Sequence, residues 1–119
     1  MFSKRIADHF TSPTHGGEVQ DPDLVLENKD PVCGDQIHIT LCVEGAIITT
    51  ARFRAWGCAT SLATANILCA WMEGKPLEQC AAATAEMLAD ELGELMPEQR
   101  HCHEIAINLV SQLNERMPA

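Results

Sequence analysis

Phe2, Ile6, Ala7 and Phe10 recur at helical spacing with Lys4, Arg5 and Asp8 between them, which predicts a short amphipathic helix over 2–11. Ser12-Pro13 ends it, because the residue before a proline is pushed out of the helical region. Residues 13–23 carry Pro13, Gly16, Gly17, Pro22 and three acids, and read as an irregular surface arm. Leu24-Val25-Leu26 reads as a short strand. From 36 to 43 the rhythm changes to strict alternation. Ile37, Ile39, Leu41 and Val43 point one way; Gln36, His38, Thr40 and Cys42 point the other, as in a half-buried strand. Glu44-Gly45 turns the chain, and 46–56 forms a second β segment with Ile47, Ile48, Phe53 and Trp56, giving an antiparallel hairpin. After Gly57 the pattern becomes helical. Residues 59–73 are rich in Ala, Leu and Met, with small polar residues early, which suits a buried helix closed by Gly74-Lys75-Pro76. Leu77 to Ala83 is a short helix. Thr84 caps another, running to about Leu95 with Met87, Leu88, Glu91 and Leu92 at helical spacing. Pro97 opens a last helix whose apolar stripe is Cys102, Ile105, Ala106, Leu109 and Leu113. Strands first and helices afterwards give an α+β fold: a small antiparallel sheet of about three strands packed against several helices.

At 119 residues and 13.0 kDa the chain suits a single domain over 1–119 with one modest core. No repeat, low-complexity tract or linker divides it. Eight basic against 17 acidic residues leave a net charge of −9, which repels phosphate backbones and argues against nucleic acid as a ligand. Aromatics are only 4% with no Tyr, so the core rests on Leu, Ile, Val, Ala and Met. The N-terminal residues alternate charge with apolar groups and no signal-type apolar stretch follows. No apolar run approaches the roughly 20 residues of a membrane span. The expectation is a cytoplasmic protein whose thiols stay reduced. Six cysteines in that compartment raise a metal or sulfur question.

The cysteines divide by setting. Cys33 lies in Pro31-Val32-Cys33-Gly34-Asp35, just before the first clear strand. Cys58 follows Trp56-Gly57 where a strand gives way to a helix. Cys102 sits in Arg100-His101-Cys102-His103, in the first turns of the last helix. Cys58 and Cys102 are thus near predicted helix N-termini, whose positive end favours thiolate over thiol. A thiolate binds metal and carries sulfur, and a neighbouring His adds a nitrogen ligand or a proton carrier. Cys42 is mid-strand, and Cys69 and Cys80 are mid-helix among apolar residues; free Cys in such places packs as a small hydrophobe. No C-x-x-C pair occurs, so zinc-ribbon and thioredoxin motifs are absent. Chemistry alone leaves a three-thiolate metal site and a chance scatter of cysteines both open.

The boxes around the three cysteines resemble the IscU/NifU-type iron–sulfur cluster assembly scaffolds. Phe2 to Phe10 is similar to that family's opening Y-S-x-x-v-x-D-H-Y. Asp30-Pro31-Val32-Cys33-Gly34-Asp35 resembles N-P-x-C-G-D. Ala51 to Cys58 resembles A-R-F-k-x-x-G-C, Gly74-Lys75 the G-K that ends the next helix, and Pro97 to Ala106 P-x-x-x-H-C-x-x-x-A. The resemblance implies an IscU/SufE-like fold and a non-enzymatic scaffold. Such a scaffold accepts persulfide sulfur from a pyridoxal-phosphate cysteine desulfurase. It takes iron and electrons from donors such as a frataxin-like protein and ferredoxin, assembles a transient 2Fe–2S cluster and passes it to apo-proteins. It further implies Cys33, Cys58 and Cys102 as cluster cysteines, Asp35 and His101 as fourth-ligand candidates, Cys102 as persulfide acceptor, and zinc binding in the same site. An incomplete thiolate set holds a cluster less tightly than four cysteines, which suits a transfer protein.

Departures narrow the resemblance. The chain ends soon after the third cysteine's helix, so the further domains of full-length NifU are not expected. The absence of a long insertion between Cys58 and Cys102, with His101 retained, is IscU-like. The L-P-P-V-K segment that IscU offers to a DnaK-like chaperone reads Leu95-Met96-Pro97-Glu98-Gln99, which counts against chaperone-assisted transfer. His103 replaces a common Ser and reads as a surface residue. Monomer and homodimer both stay open. Two further readings compete: a zinc-dependent, SufU-like sulfurtransferase that stimulates a desulfurase, and a structural zinc domain that binds a partner. The acid surface predicts salt-sensitive docking on a basic partner face.

Overall fold

The computed structural model describes residues 4–29, 34–57, 59–93 and 100–116, with side chains for 7–115 of these. In chain order they form α1 (Lys4–Thr11), β1 (Leu24–Lys29), β2 (Gln36–Glu44), β3 (Ile47–Trp56), α2 (Ala59–Met72), α3 (Leu77–Ala81), α4 (Ala85–Leu92) and α5 (His101–Arg116). The architecture is the α+β one expected from the sequence: a three-stranded antiparallel sheet, ordered β1-β2-β3, with helices on it.

Alternation sets which face is buried. Leu26, Ile39 and Phe53 stand opposite one another across the three strands, as do Leu24, Leu41 and Ala51. These rows face the helices, and all but the partly buried Leu24 are almost fully covered. The β2–β3 turn is the two-residue loop Gly45-Ala46, with φ of 57° and 66°. Positive φ at both central residues is what a type I′ hairpin turn requires, and Ala46 takes it without the freedom of glycine. A bulge between Cys42 and Val43 breaks the alternation, which leaves Val43 only partly buried.

Helix α2 is buried along most of its circumference and is the centre of the molecule. Its inward polar groups are satisfied. Asn66 accepts from the His15 N–H at 2.8 Å and lies 2.7 Å from His9 Nδ1, which fastens α1 and the following arm to α2. Just past the helix, Glu73 bonds Arg52 at 2.7 Å and the Ala51 N–H at 3.0 Å. Burial alone would raise the Glu73 pKa, but those two donors and His15 outweigh it and lower it. Helix α5 packs on β1, α2, α3 and α4 through Ile105, Ala106, Leu109, Val110 and Leu113.

Both sheet edges are covered. Along β3, Gly17 donates to Phe53 O at 2.8 Å and Phe53 donates to His15 O at 3.0 Å, so the arm mimics a fourth strand. It then crosses the outward face of the sheet, where the Val19 N–H bonds Thr40 Oγ1 at 2.9 Å. Along β1, the Gln112 amide accepts from Glu27 N–H at 3.1 Å and donates to Glu27 O at 2.7 Å, which satisfies the edge at that residue.

Several expectations change. Thr40, expected on the polar face, is 2% exposed because the arm covers it. Phe10 and Met87, expected in apolar stripes, are 44% and 42% exposed. The short third helix stops at Ala81 and the next at Leu92, where Gly93 follows, short of Leu95. Thr84 does cap that helix, accepting from the Met87 N–H at 3.2 Å. Phe2 and the Leu95-to-Gln99 segment, Pro97 included, lie outside the described residues.

Candidate functional site

Asp35 sits immediately before β2 and is 8% exposed. A carboxylate this covered needs a donor, and Ser61, the third residue of α2, supplies one: its hydroxyl donates to Asp35 Oδ2 at 2.9 Å. The first turn of α2 carries no acid of its own. Asp35 brings a negative charge to that helix end from a separate element, where the dipole favours it.

The other carboxylate oxygen faces Gly57, between β3 and α2. A Cβ built on Gly57 would lie 2.0 Å from Asp35 Oδ1 and 3.0 Å from Asp35 Cα, and its φ is 128°. Both the steric overlap and the backbone angle demand glycine. The C-G-D box and the W-G-C box therefore meet through Asp35 and Gly57. Cys33 and Cys58 themselves lie outside the described residues. Exposed Trp56, at 51%, stands beside this junction in the chain.

The third box opens α5. His101, its first residue, is partly buried, and Cys102 has no exposed surface, although it is not part of the contiguous apolar cluster. His103, expected at the surface, is partly exposed there, and its Nε2 bonds Ala85 O at 2.7 Å, tying the first turn of α5 to the first residue of α4. Among the described residues there is no group of three His, Cys, Asp or Glu side chains placed to hold a metal ion; Cys33 and Cys58 are not among those residues. Asp35, His101 and Cys102 are therefore not brought together as one donor set among the described residues.

The remaining cysteines separate further. Cys69 and Cys80 are fully buried. Burial pushes the Cys69 thiol pKa far up, with Arg52 opposing and Glu73 adding to the rise. Burial pushes Cys80 up to about 11, with Lys75 opposing. Both are inert packing groups, as expected. Cys42 is only partly buried, on the outward side of the sheet.

The Ser61–Asp35 bond and the His103–Ala85 bond were not legible in the sequence. The only sequence signal for Ser61 was the small polar character of early α2, which a buried helix explains equally well.

The model of the NifU-like N terminal domain family matches residues 1–113. Scaffold protein IscU 1 of Archaeoglobus fulgidus, named for iron–sulfur cluster assembly, is 33% identical over 106 residues, covering 89% of this chain and 69% of that protein. The Escherichia coli K12 protein of the same name is 31% identical over 109 residues, covering 88% and 84%. The N-terminal part of a NifU-like protein from Brucella abortus has the same fold, with a TM-score of 0.72 at 17% identity, covering 96% of this chain and 92% of that one. A putative scaffold protein for the SUF system from Fervidobacterium islandicum superposes with a TM-score of 0.63 at 25% identity, covering 95% and 82%.

Proposed function

The chain belongs to the family of NifU-like N-terminal domains, and on that premise we propose that it is a scaffold for iron–sulfur cluster assembly. It builds a 2Fe–2S cluster from desulfurase-derived sulfur and iron and passes it to apo-proteins, with no turnover of its own. Residues 1–119 act as one domain in this reading. The cluster is its cargo. The observation that carries the reading is the junction of two cysteine boxes at Asp35 and Gly57, where a buried carboxylate is kept in place by Ser61.

Cys33, Cys58 and Cys102 supply thiolates in this reading, and Asp35 or His101 completes the set. Cys102 accepts sulfur: its thiolate attacks the sulfane sulfur of the desulfurase persulfide, the S–S bond there breaks, and the desulfurase thiolate leaves. His101 takes up the Cys102 proton. Each sulfane sulfur then needs two electrons to become bridging sulfide, and a ferredoxin-type donor supplies them. Cys102 is wholly covered, so sulfur acceptance requires the first turn of α5 to open.

Anaerobic reconstitution with iron, cysteine and a desulfurase should give a red-brown protein with 2Fe–2S absorption. Cys33→Ala and Cys58→Ala should lose the colour. Intact protein that retains no iron overturns the scaffold reading. The similarity to the SUF-system protein favours a second reading, a zinc-bound sulfur acceptor. It predicts stoichiometric zinc in protein purified without added metal, and faster desulfurase turnover in its presence.

A further inference from the structure

We propose that residues 16–22 form a flap over the outward face of the sheet, held closed against backbone strain at Asp21. The flap goes beyond the scaffold reading and does not depend on it.

Its two ends are fixed. Upstream, the His15 N–H donates to Asn66 Oδ1 at 2.8 Å and His15 O accepts from the Phe53 N–H at 3.0 Å. Downstream, the Asp23 N–H donates to Leu41 O at 2.8 Å and Asp23 Oδ2 accepts from the Val43 N–H at 2.7 Å. Between these points the chain is exposed at every residue except Val19, which is partly buried. The stretch is closed on the sheet by the Gly17 N–H on Phe53 O at 2.8 Å and the Val19 N–H on Thr40 Oγ1 at 2.9 Å, with Glu18 Oε1 3.7 Å from His38 Nε2.

Asp21 has a φ of 52° and is followed by Pro22. A residue with a Cβ resists positive φ, and a following proline favours extended backbone. Among the described residues Ala46 is the only other non-glycine with positive φ, and its hairpin turn requires that angle. Asp21 lies in a bend that no backbone hydrogen bond among the described residues closes, so no turn of its own demands the angle. The attachments on either side impose it: Val19 on Thr40, and Asp23 on Leu41 and Val43. Strain of this kind persists only while its surroundings enforce it. Release of Val19 lets Asp21 relax toward an extended angle and the flap lift, with Gly16 and Gly17 as the freely turning end. Lifting uncovers Thr40, which is 2% exposed beneath the flap, and frees Phe53 O on the β3 edge. The flap thus gates that edge and the middle of the outward face.

Amide hydrogen exchange of the full chain, followed by NMR over a urea series, tests this. The Gly17 and Val19 N–H groups should open together, far more often than a buried α2 amide such as Leu68, and with little urea dependence, the mark of a local opening. Asp21→Val, a β-branched residue worse suited to positive φ, should speed exchange at both by about 10-fold. Asp21→Asn, which tolerates that angle, should leave both rates unchanged. If Asp21→Val does not fold, Thr40→Val decides: it removes the acceptor of Val19 and should speed Gly17 as well as Val19 by about 10-fold. Acceleration at Val19 alone overturns the flap, since the stretch does not then move as one. Exchange at Gly17 and Val19 that matches Leu68 in rate and urea dependence overturns it too, because the stretch then opens only when the protein unfolds. Rates unchanged by Asp21→Val, or raised equally by Asp21→Asn, overturn the strain that holds the flap poised.

Discussion

Gly57→Ala tests the junction of the two cysteine boxes most directly. A Cβ at 57 meets Asp35 Oδ1 at 2.0 Å, Cγ at 2.6 Å and Cα at 3.0 Å. Carbon atoms pack comfortably at about 3.5 Å. Rotating the Asp35 side chain would relieve the overlap with Oδ1 and Cγ and break its bond to Ser61. The crowding against the Asp35 main chain would remain, so β2 or the β3–α2 junction must also shift. The φ of 128° adds strain of about 1–3 kcal/mol for a residue with a Cβ. Overpacking adds about 1–3 kcal/mol more. Gly17 is the control, because its φ is 130° and nothing lies within 4 Å of its hypothetical Cβ. Gly17→Ala should show the strain alone. Urea unfolding followed by circular dichroism measures both, read from midpoints at unchanged slope. Gly57→Ala should be the more destabilised by about 1–3 kcal/mol. The excess should shrink when Asp35 is also replaced by Ala. Equal losses for Gly17→Ala and Gly57→Ala would refute the close approach of Asp35 to this backbone.

Three other expectations follow from features away from that junction. Gln112→Leu removes both bonds to the Glu27 backbone and should cost about 1–3 kcal/mol in urea melts. Light scattering should also detect more self-association from the opened β1 edge, and unchanged scattering would argue against edge protection. Glu73 has a folded-state pKa below its ordinary 4.5, so its ion pairing stabilises the fold above about pH 4.5 and that stability is lost as pH falls through the folded pKa. Glu73→Gln should therefore flatten the acid limb of the urea midpoint between neutral pH and pH 3 or so; a parallel limb would contradict it. A thiol reagent at pH 8 should label Cys42 in the native protein well before Cys69 or Cys80, whose burial suppresses the thiolate. Peptide mapping that finds Cys69 modified first would refute this.

The sequence alone determined much of what depends on local period and punctuation. Alternation over 36–43 gave β2 and its inward residues, the stripe from Cys102 to Leu113 gave the buried face of α5, and Thr84 marked the start of α4. The three cysteine boxes with their spacing carried the family. These signals survive in one dimension because side-chain direction follows backbone periodicity. Tertiary structure decided the rest. Thr40 is covered because an arm with no periodicity of its own crosses the sheet. His103 is bonded to Ala85, 18 residues away, and Gln112 to Glu27, 85 away. Ser61 holds Asp35 across 26 residues. Such pairings are set by how the layers dock, and no local pattern encodes them. The sequence thus offered Asp35 only as a candidate, while the packing of α2 against the start of β2 showed what holds it.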